Sequence, residues 1–415
     1  MTWTKLHLTV TTPVFNSDGD QKHAEIRVPS IRGAMRFWLR AMAGRMAGND
    51  MRALSAIEHR VLGSTEHSSP VKLRIPRQPA NSDKELPDFL GTPERNRWIG
   101  YLLGPGLTSW SSEKRAVMLN RAHIPPGQDF ELWLRFTGDD DTSLVALAAL
   151  WFALTYGGIG ARTRRGFGGV RITGITGLPE RWSPESFRTP GIDFYGKVTS
   201  LAPESGMINS LRSLGNIARS VGCNGLYQWP SPPTYPVLSQ SHTMAGASRG
   251  EASASWEDVL CWAGRELRYF RATVDTPGVP YHPKIKTHEW LEVVNGPEEE
   301  FPIGALGLPI VFKKQIEVHA DRGSGDTAEK LRRASPLWLR PVGQGSHWKL
   351  FSFGFLTEFL PGPDRPNVHL WKDRRQGKKL VVSTEDAHEA IREWITGMAG
   401  ARNGERVFSK EGEED

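Results

Sequence analysis

The chain has 415 residues, 38% hydrophobic and 24% charged, which describes a folded protein too long for one typical core. Its two cysteines, Cys223 and Cys261, exclude a disulfide framework and a structural zinc site, and no metal or other cofactor is expected. Net charge is +6, and the excess lies in residues 1–178, where 23 Lys and Arg, 18 of them arginine, face 16 Asp and Glu. Arginine's planar fork suits phosphate, so a polyanionic partner is favoured.

Thr4–Val10 alternates Leu6, Leu8 and Val10 against polar neighbours, the pattern of a strand. After a turn-rich loop, VPSIRGAMRFWLRAMAGRM predicts a helix with Ser30 as N-cap. Ile31, Met35, Trp38, Met42 and Met46 share its core face, and Arg32, Arg36 and Arg40 form a stripe beside it. Residues 76–97, polar and Pro-rich, read as an inserted loop, and Phe130–Phe136 reads as a strand.

Asp139, Asp140, Asp141 and Thr142 are placed to cap a helix over Ser143–Tyr156 that is apolar nearly all round and therefore buried. Its longest apolar run, Leu144–Leu154, is shorter than the roughly 20 residues a bilayer requires. The N-terminal MTWTKLHLTV has no signal-peptide pattern, so a cytoplasmic protein without membrane contact is expected.

The stretch GGIGARTRRGFGG, residues 157–169, comes next and leads into the strand VRITGIT. Its glycines follow a helix and precede a strand, which is the wrong context for a dinucleotide fingerprint, and no Gly-Lys-Ser/Thr completes a Walker A loop. Two readings stay open: a plain connecting loop, or a phosphate-cradling one. In the second, Gly158, Gly160 and Gly166 let backbone N–H groups approach a ligand, Arg162, Arg164 and Arg165 add charged donors, and Phe167 stacks on a base.

The order strand, helix, strands, helix, Gly-rich loop, strand fits a βαββαβ ferredoxin-like unit. GLPERWSPESFRTPG reads as a linker to a second part with long insertions. There, strands are expected at Ile192–Thr199 and in LPIVF, SPLWLRP and HWKLFSFGFL, and helices around Trp256–Phe270 and Thr384–Met398, while 228–255 and 275–305 read as loops. The expected architecture is α+β, two ferredoxin-like (RRM-like) domains in tandem over 1–178 and 190–408, followed by an acidic tail at 409–415.

Three stretches together, VPSIRGAMRFWLRAM, GGIGARTRRGFG, and LGLPIVF with RRASPLWLRP, resemble the RAMP superfamily of CRISPR-associated RNA-binding proteins. Within it, the chain is similar to the first-numbered subunit of the Cmr (type III-B) effector complex. That resemblance implies a non-catalytic subunit that lies near the 3′ end of the guide RNA (crRNA), beside other RAMP subunits, and helps capture target RNA. RNA contact is carried over to Arg32, Arg36, Arg40, Arg162, Arg164 and Arg165, and Arg332 and Arg333 lean the same way.

YHPKIKTHEW offers Lys284 and Lys286 as an RNA-contacting loop or a solvated one, and its His282 and His288 lack the companions a metal site needs. Phe351, Phe353 and Phe355 alternate on one strand face and are expected to be buried with Leu337 and Leu339. The alternative function is a metal-independent endoribonuclease processing guide RNA, with His7, His23, His59 or His123 as acid or base.

Overall fold

The computed structural model describes residues 3–17, 23–201, 208–249, 251–271, 293–311, 316–362 and 366–408. Lys284, Lys286, His282, His288 and the acidic tail lie outside the described residues. The described chain is α+β with several antiparallel sheets.

Strand β1 (Thr4–Val10) forms where the alternation predicts it, with Leu6, Leu8 and Val10 buried on one face. It is flanked by β5 (Asp129–Phe136) and β6 (Val170–Thr176), and β2 (Val71–Arg74) adds to β5, every pair antiparallel. The resulting four-stranded antiparallel sheet has the order β6–β1–β5–β2. Helix α1 (Val28–Ala47) starts three residues earlier than a Ser30 cap implies, because Pro29 fits its first turn, where the missing N–H is no loss. Ser30 is therefore not the cap, and its hydroxyl bonds the Asn16 side chain at 3.0 Å. Helix α2 (Met51–Leu62) follows, capped by Asp50.

Part of the expected inserted loop is helical. Thr92 caps α3 (Pro93–Leu103), which precedes the hairpin β3 (Thr108–Ser111) and β4 (Ala116–Leu119). Helix α4 (Asp140–Phe152) starts at Asp139, whose carboxylate accepts the Thr142 N–H at 2.7 Å, and every residue from Thr142 to Phe152 is buried. It runs on into a π-turn over Ala153–Gly157 that delivers the chain to the Gly-rich loop.

The linker expectation changes most. Trp182, Phe187 and Tyr195 are buried, and this stretch forms short helices α5 (Pro184–Phe187) and α6 (Ile192–Tyr195) in place of the strand expected from Ile192. Three large aromatic side chains seek the core, and Gly191–Asp193 opens a helical turn. Helix α7 (Ile208–Ser220) follows. The second sheet is led by β7 (Thr243–Ala247), inside a stretch that reads as loop because TMAGA has small side chains and no marked alternation.

After β7 come α8 (Trp256–Phe270), β11 (Leu337–Gln344), β12 (His347–Phe355) and α9 (Thr384–Gly400). The order β11–β12–β7 repeats the relative order of β2, β5 and β1. The intervening segments build a third sheet from β8 (Ile310–Val311), β9 (Ile316–Arg322), β10 (Glu329–Leu331), β13 (Asn367–Lys372) and β14 (Arg375–Leu380). Of the described residues of LPIVF, Ile310 and Val311 form β8.

One core serves both halves. Trp38 stacks on Phe152 at 5.5 Å and meets Phe353 and Phe355 from β12 at 6.0 and 5.9 Å. Phe351, Phe353 and Phe355 are buried as expected, but Trp338 joins them, stacked on Phe353 at 5.3 Å. Leu337 and Leu339 point into a second core with Leu260 and Trp394, because they lie one residue out of phase with Trp338. In that core α3 and α8 cross closely: a Cβ at Gly264 would overlap the Trp98 carbonyl oxygen.

Arg340 of β11 is buried, and its Nη2 donates to the carbonyls of Leu154 and Val170 at 2.7 and 3.2 Å. These carbonyls stand at either end of the Gly-rich loop. No helix of the described residues is long and apolar enough to cross a membrane, and among those residues no cluster of three His, Cys, Asp or Glu could hold a metal.

Arg340→Met leaves both carbonyls unpaired, and we expect a loss of about 3 kcal/mol in denaturant unfolding. His123 packs between Phe15 and Phe89, both at 5.7 Å, and burial lowers its pKa to about 4. Below pH 6.5 the unfolded chain takes up a proton that the folded chain refuses, so this stability is complete above pH 6.5 and is lost as pH falls towards 4. Unfolding curves at pH 7 and pH 5 should show His123→Phe losing about 2 kcal/mol less than the parent between the two.

Candidate nucleic-acid interface

The Gly-rich loop begins where the π-turn ends and folds back on its own chain. Gly158 and Gly160 have φ of +92° and +89°, and a Cβ would stand 2.8 Å from the Gly168 carbonyl oxygen and 2.5 Å from that of Phe15. Glycine is required at both places by close backbone packing. The loop is pinned by Ile159 N–H to Gly168, Ala161 N–H to Phe15 and Gly168 N–H to Pro13, each at 2.8 Å.

A groove of about 510 Å³ opens between this loop and the first half of α1. Ser30, Ala34 and Phe37 form its helical wall, Gly158, Gly160, Thr163 and Arg164 its loop wall, and Asn16, Arg121 and Trp338 also line it. Among the described residues, no acidic side chain lines it. Arg164 lies over the Trp338 ring at 4.9 Å and donates to the Ser335 carbonyl, and burial followed by the nearby Arg333 charge lowers its pKa to about 10. Arg121 lines the groove and makes no hydrogen bond or ion pair among the described residues.

The arginine stripe of α1 faces elsewhere. Arg36 donates to Glu58 at 2.9 Å and to the Gly63 carbonyl at 3.0 Å, and Arg40 donates to Glu58 through both Nε and Nη2. Arg32 donates to the Val71 carbonyl at 2.7 Å, and burial, then Arg36, lowers its pKa. These three side chains tie α1 to α2 and to the start of β2, and none lines the groove. The helix does meet the loop in a groove, but through its Ser30–Ala34–Phe37 face. The buried Glu58, on the apolar face of α2 with Leu54, Ile57 and Val61, was the sequence signal for this arrangement.

The other expected contacts divide. Phe167 is 1% exposed and packs edge-on against Phe15 at 5.7 Å, so its ring is in the core and is not offered to a base. Gly166 is also buried, and a Cβ there would overlap Leu260 of α8. Arg162 and Arg165 lie outside the groove. Arg332 is exposed, and Arg333 donates to Thr357 Oγ1 at 3.0 Å and to the Glu358 carbonyl, with its pKa lowered by burial. Sequence reasoning missed Arg121, Asn16, Thr163 and Trp338, which the fold collects from four separate segments.

The four candidate catalytic histidines do not assemble. His7 is 3.3 Å from Glu131 on the first sheet, His59 is 3.3 Å from Ser55 on α2, His23 is exposed, and His123 is buried between its two phenylalanines. None lines the groove.

The RAMP superfamily model matches residues 7–171. The CRISPR system Cmr subunit Cmr1-1 of Pyrococcus furiosus is 33% identical over 353 residues, 84% of either chain. Subunit Cmr1-2 of the same organism is 29% identical over 175 residues, 39% of this chain and 90% of that one. Among solved structures, the apo crystal structure of Pyrococcus furiosus Cmr1 aligns at a TM-score of 0.49 and 22% identity, covering 86% of this chain and 88% of the other. At the identity and coverage of Cmr1-1, the chain belongs to the RAMP superfamily, and within it to the Cmr1 subunits of CRISPR systems.

Glu58→Gln leaves Arg36 and Arg40 without their shared carboxylate. We expect a loss of about 2 kcal/mol in denaturant unfolding, less than a fully buried pair would give because Arg40 is half exposed. Alanine at Arg36 or Arg40 should lower the thermal midpoint while leaving the groove intact.

Proposed function

We propose that the chain is a non-catalytic, RNA-binding subunit of a type III-B CRISPR ribonucleoprotein, built from two ferredoxin-like domains. It holds the guide RNA near its 3′ end and helps capture target RNA, working in the cytoplasm beside other RAMP subunits. The observation that carries this is the groove between α1 and the Gly-rich loop, which has arginines and small polar groups on its walls and, among the described residues, no carboxylate. Such a surface attracts phosphate and asks little of base identity. A guide-binding subunit has this need, since base pairing supplies sequence specificity. Membership of the Cmr1 family supports the same assignment. The endoribonuclease alternative places a histidine at the RNA, and none of the described residues lining the groove is a histidine.

Two variants test the groove in the full chain. Ala34→Trp fills it, and Arg121→Ala removes a cation that has no partner among the described residues. Each should weaken binding of single-stranded RNA about tenfold. Arg121→Ala should also reduce the slope of log affinity against log salt by about 0.7, the value of one single-strand phosphate contact. Affinity and slope unchanged in both variants would remove the groove from the RNA path. Incubation with precursor RNA in EDTA should yield no discrete product, and a product abolished by a histidine substitution would instead make the protein a processing enzyme.

A further inference from the structure

The loop's two remaining arginines pose a separate physical problem. Arg165 Nη1 is buried and has no hydrogen-bond partner, and the same is true of Arg271 Nε at the end of α8. Arg271 reaches the Tyr101 hydroxyl at 3.5 Å on the last turn of α3. Arg162, held at a φ of +61°, packs its guanidinium against Gly104, the residue that ends α3. Among the described residues, none of these three arginines has a carboxylate within ion-pair distance.

Their charges act on one another. Burial first, then Arg271, lowers the Arg165 pKa to about 10. Burial would raise that of the Tyr101 phenol, yet Arg271, Arg165 and Arg268 together bring it below its ordinary value. Packing alone gives no reason to hold like charges together with donors unfilled, because an unpaired buried charge destabilises the fold. The group that relieves both defects carries negative charge and only acceptor oxygens, several of them in a small volume. A phosphate group has those properties, and a neutral or carboxamide ligand does not.

We propose that Arg162, Arg165, Arg271 and Tyr101 form a receptor for one phosphate group, distinct from the groove, between the Gly-rich loop and the ends of α3 and α8. The site deepens the RNA reading if the phosphate belongs to RNA, either as a diester in the strand or as a terminal monoester. A site for phosphate as such does not depend on that reading.

The test uses the full chain, with Arg165→Met and Arg271→Gln as variants and Tyr101→Phe as a milder third. Its probes are inorganic phosphate, a hydroxyl-ended single-stranded RNA, and the same RNA with a terminal phosphate. Phosphate should raise the thermal midpoint of the parent above a chloride control of equal ionic strength, and this rise should vanish in Arg165→Met and Arg271→Gln. Without phosphate, Arg165→Met should melt no lower than the parent and is expected to melt higher, because an unpaired charge has been removed.

A tenfold loss on hydroxyl-ended RNA in both arginine variants identifies a strand phosphodiester, and a loss confined to phosphate-ended RNA identifies a terminus. A parent that does not respond to phosphate, with variants that bind all RNAs as the parent does, overturns the site. So does a lower midpoint in Arg165→Met and Tyr101→Phe, which would make these side chains packing residues. A phosphate response in a protein that binds no RNA keeps the site and overturns the RNA reading. Neutral arginine variants alongside a defective Ala34→Trp do the reverse.

Discussion

The two hydrogen bonds from Arg340 to the carbonyls of Leu154 and Val170 join the two ends of the Gly-rich loop to the second half of the chain. The π-turn and the following strand leave these carbonyls at the mouth of the Gly-rich loop, and a side chain from 186 residues downstream satisfies the first of them. A guanidinium in such a place loses its hydration, and burial lowers its pKa, so it stays only because strong acceptors surround it. The loop's ends are thus tied to the second half of the chain. The aromatic core beneath, where Trp38 and Tyr156 meet Phe351 and Phe353, fixes the same relation on a larger scale.

The first half's arginine excess serves unlike purposes that composition cannot separate. Around Glu58 the positive charge is neutralised, and its role is to join two helices. At Arg164 it is shared between a carbonyl and an aromatic face, which positions it on the groove wall. At Arg162 and Arg165 it has no counter-charge among the described residues. A basic stretch therefore divides according to what stands opposite each side chain, into arginines that are neutralised and arginines that are not.

Much of the local structure was legible. Thr4–Val10 and Trp256–Phe270 form as read, because each has a strong period and a clear apolar face. The Gly-rich loop was recognisable from its neighbours in sequence, and its context excluded the cofactor loops. β7 was not legible, since its side chains are too small to show alternation, and α3 was hidden behind the prolines and polar residues ahead of it. The four-residue spacing of Arg32, Arg36 and Arg40 showed that they are neighbours. It could not show that Glu58 faces them. Tyr101, Arg121 and Arg271 gave no signal, because their roles come from segments far apart in the chain.

The crossing of α3 and α8 at Gly264 gives the interface a mechanical side. Arg271 lies seven residues beyond the crossing, about 10 Å along the helix axis, and Tyr101 lies near the end of the partner helix. Gly264 permits this close crossing, since a methyl group there would overlap the Trp98 carbonyl and force the two helices apart. The approach of the two helices that carry Tyr101 and Arg271 is thus set by a residue with no side chain and no charge.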